Sequence, residues 1–206
     1  QVIAVASSES KTLKKMTFIG LVAFIDPIRE DVKESINECK TAGIKVIMIT
    51  GDHPLTAYSI AKDLNLVETF NEVTTGQEVD EYLEKGQKEF DKFLKTKKVF
   101  TRVTPLNKLE IVESLKRQGE FVAVTGDGVN DAPSLHNADV GICVDTATDI
   151  AKEASDIILL EKSLSVIYNG VIEGRKVYGN IIKYMKMALS SDFGDVFSIF
   201  LASIFL

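Results

Sequence analysis

The fold of this chain is decided by nine consecutive residues, Thr125-Gly126-Asp127-Gly128-Val129-Asn130-Asp131-Ala132-Pro133. The apolar run before them, residues 121–124, contains β-branched side chains and predicts a buried parallel strand. Residues 130–137 predict the opening of a helix, with Asn130 or Asp131 placed to cap it. Asp127 and Asp131 therefore follow the end of a strand, which is where open α/β sheets bind their ligands.

Two carboxylates at such a turn suit Mg²⁺, a hard cation that prefers oxygen ligands. The glycines on either side of Asp127 allow the backbone to pass close to a ligand. Taken alone, the glycine–aspartate turn has a simpler interpretation as a β-turn with a capping aspartate. On these residues alone, both the capped turn and the magnesium site remain open.

Composition narrows the class of protein. The chain has 206 residues, enough for one well-packed domain with a small appendage, and its hydrophobic content of 45% is ordinary for a globular protein. A net charge of −6 argues against nucleic acid as a partner, because nucleic acids are met by basic surfaces. Cys39 and Cys143 match no metal or redox spacing, so we expect buried free thiols in a reducing compartment.

Strands and helices alternate along the chain. The predicted strands cover residues 1–6, 18–25, 44–49, 99–101, 121–124, 140–144 and 157–160. The predicted helices cover residues 30–42, 54–64, 105–118, 130–137 and 148–154. Residues 44–49 are continuously apolar, which is typical of a strand buried on both faces. Alternation of this kind predicts an α/β fold with a doubly wound parallel sheet. Residues 67–98 are polar and rich in Glu and Lys, and we expect a surface excursion with one or two short helices.

The C-terminal part has a different pattern. From residue 163 onward we predict one long helix that ends in an uncharged apolar run, residues 196–206. Eleven helical residues reach only about 17 Å, less than the roughly 30 Å of a bilayer core, so this run is interpreted as a transmembrane helix cut short. Arg175, Lys176, Lys183 and Lys186 precede it, which is typical of a cytosolic stalk that enters a membrane.

Three segments that each follow a predicted strand are candidates for one site: Thr50-Gly51-Asp52, the segment from Arg102 to Lys108, and the Asp127–Asp131 turn. A phosphoryl-transfer site needs hydrogen-bond donors, a fixed positive charge and a carboxylate-bound magnesium ion. Thr50 and the Gly51 amide can supply donors, Lys108 the charge, and the two aspartates of the turn the ion.

Each of these residues also has a simpler interpretation. Lys108 alone would be a solvated helix lysine, and Asp52 would be a helix cap. Two isolated histidines without ligand spacing do not predict a metal site. We expect His136 to lie on a helix surface, whereas His53, beside Asp52, is a candidate neighbour of a nucleotide.

Together these motifs resemble the phosphorylation domain of P-type ATPases, which are cation pumps with a haloacid-dehalogenase-like fold. The resemblance covers essentially the whole chain. It implies that Thr50 and Gly51 hold the phosphoryl group, that Asp52 faces the nucleotide and that Arg102 contacts ATP. Asp26-Pro27-Ile28-Arg29 stands where the family has a DPPR-like segment, with Ile28 in place of the second proline.

The same resemblance implies roles for the remaining site residues. Lys108 corresponds to the lysine that binds the transferred phosphoryl group, and Asp127 to the magnesium ligand. Asn130 and Asp131 support the phosphate and the ion, so that Asn130 is a catalytic candidate and Asp131 a metal candidate. The implied cofactors are Mg²⁺ and ATP.

The tail resembles the fifth membrane helix of magnesium-transporting P-type ATPases, on Asn180-Ile181-Ile182-Lys183-Tyr184 and on residues 190–198. Asp192 and Asp195 stand where that subgroup usually has asparagines. They are three residues apart and share a helix face. Inserting a central aspartate costs about 2.5–3.5 kcal/mol, hence roughly 5–7 for the pair. A transported-ion site is one interpretation of the pair, and a neutral position at the membrane interface is the other.

The resemblance implies three regions: residues 1–17 as the tail of a nucleotide-binding domain, 18–162 as the phosphorylation domain, and 163–206 as the stalk with a truncated membrane helix. The family's phosphorylated aspartate and the first strand of the sheet are expected upstream of Gln1. The implied partners are ATP, a transported divalent cation, the lipid bilayer and the remainder of the same polypeptide, with the domain on the cytoplasmic side of the cell membrane. The alternatives are a non-catalytic truncated product and a soluble haloacid-dehalogenase-type phosphatase.

Overall fold

The structure is a computed structural model that describes residues 2–8, 16–24 and 28–205. Its strands are β1 Val2–Ser7, β2 Thr17–Ala23, β3 Met48–Thr50, β4 Val73–Thr75, β5 Val99–Thr101, β6 Ala123–Thr125, β7 Val140–Val144 and β8 Ile157–Leu159. Its α-helices are α1 Glu30–Thr41, α2 Pro54–Asp63, α3 Gly76–Glu84, α4 Gln87–Leu94, α5 Pro105–Arg117, α6 Ala132–Asn137, α7 Asp149–Glu153 and α8 Leu164–Phe205. Gln1, Asp26 and Pro27, which are named above, lie outside the described ranges, as do Ile25 at the end of a predicted strand and Leu206 at the end of the predicted apolar run.

The parallel α/β class is confirmed. Strands β3, β5 and β4 form one parallel sheet in that order, and β6, β7 and β8 form a second. Strands β1 and β2 pair separately as an antiparallel hairpin. In the described part of the chain, β3 and β6 are each an edge strand of their sheet, and Ile49 from β3 and Val124 from β6 line the same cavity.

The predicted burial of these two edge strands is wrong. Met48, Ile49 and Thr50 are only half-buried, and Ala123 and Thr125 are exposed. Both strands are also shorter than predicted, since β3 begins at residue 48 and β6 at residue 123. An apolar strand is covered on both faces only when it lies inside a sheet, and each of these strands has one side open to the space between the two sheets.

Residues 67–98 are more than the surface excursion that their composition predicts. The predicted short helices are present as α3 and α4, but the segment also contains β4, which pairs with β5. Val79 from α3 and Phe90 from α4 are fully buried and pack with Phe100 and Ile111. Helices of nine and eight residues show too few turns for their apolar face to stand out from the surrounding charges.

Local sequence explains where the main helices begin. Pro54 and Pro105 occupy first-turn positions of α2 and α5, where a missing N–H costs nothing. Thr104 and Thr148 cap α5 and α7 by accepting hydrogen bonds from backbone amides inside the first turn.

The last helix, α8, is continuous over 42 residues. At about 1.5 Å per residue it is about 63 Å long, and by length and composition it can cross a membrane. Residues 196–206 are too short to cross a membrane by themselves, but the whole of α8 is long enough. The N-terminal part of α8 and the residue before it lie beside α1: the Ser163 hydroxyl donates to Asp31 at 2.8 Å, and Arg175 donates to the Ala42 carbonyl at 2.7 Å.

Cys39 and Cys143 are buried and free, as predicted. Both therefore act as small apolar side chains in the described structure.

The corrected placement of residues 67–98 predicts a large effect of Phe90→Ala. Phe90 is fully buried and Phe121 is 78% exposed, so the two substitutions remove the same ring from opposite environments. We expect Phe90→Ala to lower the free energy of unfolding by about 3–5 kcal/mol, and Phe121→Ala by less than about 0.5 kcal/mol. Chemical denaturation of both variants measures the difference. Equal denaturation midpoints would show that α4 lies at the surface, as the composition of this segment predicts.

Candidate active site

A cleft of about 650 Å³ lies between the two parallel sheets. It brings together candidates from all three predicted segments: Thr50, Gly51, Lys108, Asp127 and Asp131. The strand register accounts for the first two segments, because Thr50 on β3 lies level with Thr101 on β5, and both strands end at the same edge. Parallel strands carry their ligand sites at that carboxyl edge.

Thr50 is oriented by the turn that follows it. Its hydroxyl oxygen accepts a hydrogen bond from the Asp52 amide at 3.1 Å. A hydroxyl that accepts one hydrogen bond still has its own proton to donate. Thr50 can therefore donate into the cleft beside the Gly51 backbone.

Asp131 is the most heavily engaged of the candidates. One of its oxygens binds the Lys108 ammonium at 2.5 Å, and the other accepts from the amides of Asp127 at 3.3 Å and Gly128 at 3.2 Å. Both side chains of the ion pair are largely buried, with exposed fractions of 22% and 17%. Asp131 thus closes its own turn and holds Lys108 in the cleft.

Asp127 has the freer carboxylate. The residue is exposed, and its contact with α7 uses the backbone, since the Asp127 carbonyl accepts from the Thr148 amide at 3.0 Å. Mg²⁺ in phosphoryl-transfer sites is bound by one or two carboxylates together with phosphate oxygens and water. The donor set of Asp127 and Asp131 fits this pattern, although the described residues contain no cluster of three or more His, Cys, Asp or Glu side chains that could hold a metal by themselves.

Hydrogen bonds anchor both the start of the turn and the chain that precedes it. Before it, the Val122 amide donates to Asp139 at 2.8 Å, and this hydrogen bond, followed by that from Lys116, lowers the pKa of the Asp139 carboxyl. Within it, the Gly126 amide donates to the Ile142 carbonyl of β7 at 3.1 Å. The strand and the turn are therefore held by the second sheet.

Gly126 allows the turn to fold back on itself. A Cβ atom at this position would lie 2.5 Å from the Asp131 Cβ and 2.8 Å from its Cγ. Both distances are shorter than real side-chain contacts, so the position requires glycine. At Gly128, by contrast, the nearest atom to an added Cβ is 3.5 Å away.

Three residues predicted for the phosphoryl-transfer site do not line the cleft: Asp52, Arg102 and Asn130. All three are exposed, and Asp52 and Asn130 are chain neighbours of Gly51 and Asp131, which line the cleft. The capping role considered for Asp52 belongs instead to His53, whose Nδ1 accepts from the Leu55 amide at 3.3 Å. His136 is exposed on α6, as expected.

Sequence reasoning missed several residues at the site. Arg29, Lys162 and Ser163 also line the cleft, and Arg29 donates to the Lys162 carbonyl. Ser134 lines a smaller cavity of about 50 Å³ beside Lys108 and Asp131. It is 1% exposed, and its hydroxyl has no hydrogen-bond partner within the part of the chain that the structure describes. Arg29 belongs to the DPPR-like segment, which could have marked it as a candidate, whereas Ser134 stands in no pattern that separates it from ordinary polar residues.

The short distance between Gly126 and Asp131 predicts that alanine substitutions at Gly126 and Gly128 differ in their effect on stability. We expect Gly126→Ala to lower the free energy of unfolding by about 1–3 kcal/mol, because its methyl group would displace Asp131. Gly128→Ala has room for its methyl group and serves as the matched control. Chemical denaturation of the two variants gives the comparison, and an equal loss in both would mean that Asp131 can move aside without cost.

Comparisons with known proteins agree with this geometry. A family model of haloacid dehalogenase-like hydrolases matches residues 3–139. The calcium-transporting ATPase 1 of Bacillus cereus is 46% identical over 190 residues, which are 92% of this chain and 21% of that protein. The P-type magnesium-transporting ATPase 1 of Salmonella typhimurium is 43% identical over 192 residues, which are 93% of this chain and 21% of that protein.

A solved structure is similar as well. The catalytic domain of the CPx-ATPase CopB-B, studied for its conformational changes upon nucleotide binding, aligns with a TM-score of 0.52 at 25% identity. The alignment covers 76% of this chain and 49% of that structure. This chain spans about a fifth of the length of the curated relatives that it matches. It belongs to the haloacid dehalogenase-like hydrolase family, and within that family it is similar to the cation-transporting P-type ATPases.

Proposed function

We propose that this chain forms the magnesium- and phosphoryl-binding half of the phosphorylation site in an ATP-driven, cation-transporting P-type ATPase. The observation that carries the proposal is the meeting of Thr50, Gly51, Lys108 and Asp127 at one cleft. Donors, a positive charge and a free carboxylate at one point are what phosphoryl transfer requires.

Each side chain then has a defined task. The Thr50 hydroxyl and the Gly51 amide donate hydrogen bonds to oxygens of the phosphoryl group. The Lys108 ammonium offsets their negative charge, and its ion pair with Asp131 keeps it in place before substrate arrives. Asp127, with support from Asp131 and Asn130, would hold Mg²⁺, which when bound neutralises charge on the phosphate.

The two open sheet edges support a role for the remainder of the same polypeptide. Unpaired strand edges present rows of free N–H and C=O groups that readily bind another strand. We propose that a strand from elsewhere in the polypeptide lies between β3 and β6, covers the half-buried Ile49 and Val124, and carries the aspartate that is phosphorylated. The isolated chain would then bind phosphate and magnesium without catalytic turnover.

The length and composition of α8 support a position at the cell membrane. The basic residues that precede its apolar end, Arg175, Lys176, Lys183 and Lys186, support a position of the cleft on the cytoplasmic side. Asp192 and Asp195 lie within α8 and share a face, and two carboxylates together favour a divalent cation. Similar proteins are described as transporting calcium, magnesium or sodium at 46%, 43% and 42% identity, so overall identity does not select the ion. We propose magnesium, on the resemblance of the tail, with the aspartate pair on the transport pathway.

The catalytic assignment predicts opposite outcomes for the isolated chain and for the polypeptide that contains it. We expect the isolated chain to hydrolyse ATP no faster than its Asp127→Ala variant. In the containing polypeptide, Asp127→Asn and Lys108→Met should each reduce ATP hydrolysis about 10²-fold or more, because each removes charge stabilisation from the transferred group.

Asp63→Asn is the matched control for this experiment, because Asp63 is an exposed aspartate at the end of α2, outside the cleft. Hydrolysis by the isolated chain that Asp127→Ala abolishes would reject the need for an external aspartate and favour a soluble phosphatase. No hydrolysis in either form would favour a non-catalytic product.

The ion assignment predicts that Asp192→Asn and Asp195→Asn reduce magnesium transport while Ser198→Ala does not. The polypeptide is placed in lipid vesicles and supplied with ATP, and ion-selective fluorescent indicators follow magnesium, calcium and sodium separately. Transport of calcium or sodium in place of magnesium would reject the ion assignment. Unchanged transport in both aspartate variants would instead favour a neutral position of the pair at the membrane interface.

A further inference from the structure

Arg102 has an unusual backbone conformation. Within the described residues, a positive φ at a non-glycine occurs at Asn65 and at Arg102, where φ is 48°. Asparagine visits this left-handed region readily, whereas arginine rarely does. Such a conformation persists only where the surroundings enforce it, and it is concentrated at functional sites.

The first structure that enforces it is the start of α3. A Cβ atom on Gly76 would lie 2.5 Å from the Arg102 carbonyl oxygen and 3.2 Å from the Val103 Cα. The backbone of α3 is therefore packed directly against the peptide that follows Arg102. Any residue larger than glycine at position 76 would displace that peptide.

The second is a buried amide. Asn107 is 1% exposed, and its Oδ1 accepts from both the amide and the hydroxyl of Thr104 at 2.9 Å. Its Nδ2 donates to a carboxylate oxygen of Asp80, on α3, at 2.6 Å. The turn from Arg102 to Thr104 is thus tied to α3 through one side chain.

The position of Arg102 shows what this arrangement achieves. Thr101 lies level with Thr50 on one side and Thr75 on the other. Arg102 therefore follows the central strand of its sheet, and the residues that follow its two neighbours are Gly51 and Gly76. No side chain from these two positions covers the arginine, which is exposed at the edge where Gly51 lines the cleft.

We propose that Asp80 and Asn107 are positioning residues that set the affinity for ATP by holding Arg102 in its left-handed conformation. The inference rests on the proposed function, in which Arg102 contacts ATP. It assigns α3 a role in nucleotide binding. The alternative is that Asp80 and Asn107 only stabilise the fold, and the experiment must distinguish this from a role in nucleotide binding.

The test compares variants of Asp80 in the polypeptide that contains this chain. We expect Asp80→Ala to raise KM for ATP about 5- to 10-fold while kcat at saturating ATP changes less than about twofold, since only binding geometry is lost. Asp80→Asn keeps an oxygen that can accept from Asn107 and should restore the KM. Glu84→Ala removes an exposed acidic side chain from the same helix and should leave both constants unchanged.

A double-mutant cycle with Arg102→Ala tests whether Asp80 acts through the arginine. In the Arg102→Ala background, Asp80→Ala should add no further increase in KM, because coupled residues are not additive. An equal increase in both backgrounds would overturn the proposal. So would a fall in kcat with an unchanged KM, which indicates general destabilisation.

Trypsin provides a readout that does not depend on activity. It cleaves after Arg102 only when the turn opens, so Asp80→Ala should speed cleavage at this bond about 5-fold or more, whereas Glu84→Ala should not. Unchanged cleavage would show that α3 does not hold the turn, whatever the protein does. Faster cleavage together with an unaltered KM in Arg102→Ala would instead show that the nucleotide role of Arg102, and with it the proposal, is wrong.

Discussion

The carboxylate of Asp131 is the interaction on which the site depends. One oxygen binds Lys108 on α5, and the other accepts two amides from the turn after β6. This single group therefore connects the helix that follows the first parallel sheet with the turn that ends the first strand of the second. It also leaves the carboxylate of Asp127 exposed as the freer ligand. Substituting Asp131 would disturb charge and geometry together.

The second constraint is that parallel sheets work at their carboxyl edges. Thr50, Thr75 and Thr101 are the last residues of their strands and lie level with one another. The residues that directly follow them therefore lie at one edge of the sheet. Glycine stands after Thr50 and after Thr75, and an arginine after Thr101. Within the described ranges, the cleft lies between the unpaired sides of β3 and β6, where no backbone hydrogen bonds connect the two sheets.

Sequence reasoning succeeded where a local signal was strong. The bounds of β7 and the starts of α2 and α5 agree with prediction, because apolar runs, prolines and capping threonines act within a few residues. Over residues 67–98 it predicted the short helices but missed β4 and the burial of the segment, because short helices carry few apolar residues among many charges. Phe90 is fully buried there, and only the packing of Phe100 and Ile111 against it reveals that role.

The sequence by itself determined the parallel α/β class, the long final helix and the three turns that carry the site candidates. These features follow from the order of residues along the chain, since strand composition, helix caps and glycine turns are local properties. The tertiary structure alone decided which candidates meet. It placed Lys108 against Asp131, left Arg102 outside the cleft and tied its turn to Asp80 through Asn107. Contacts between residues more than twenty positions apart depend on how the helices pack on the sheets, and a local sequence pattern does not specify that packing.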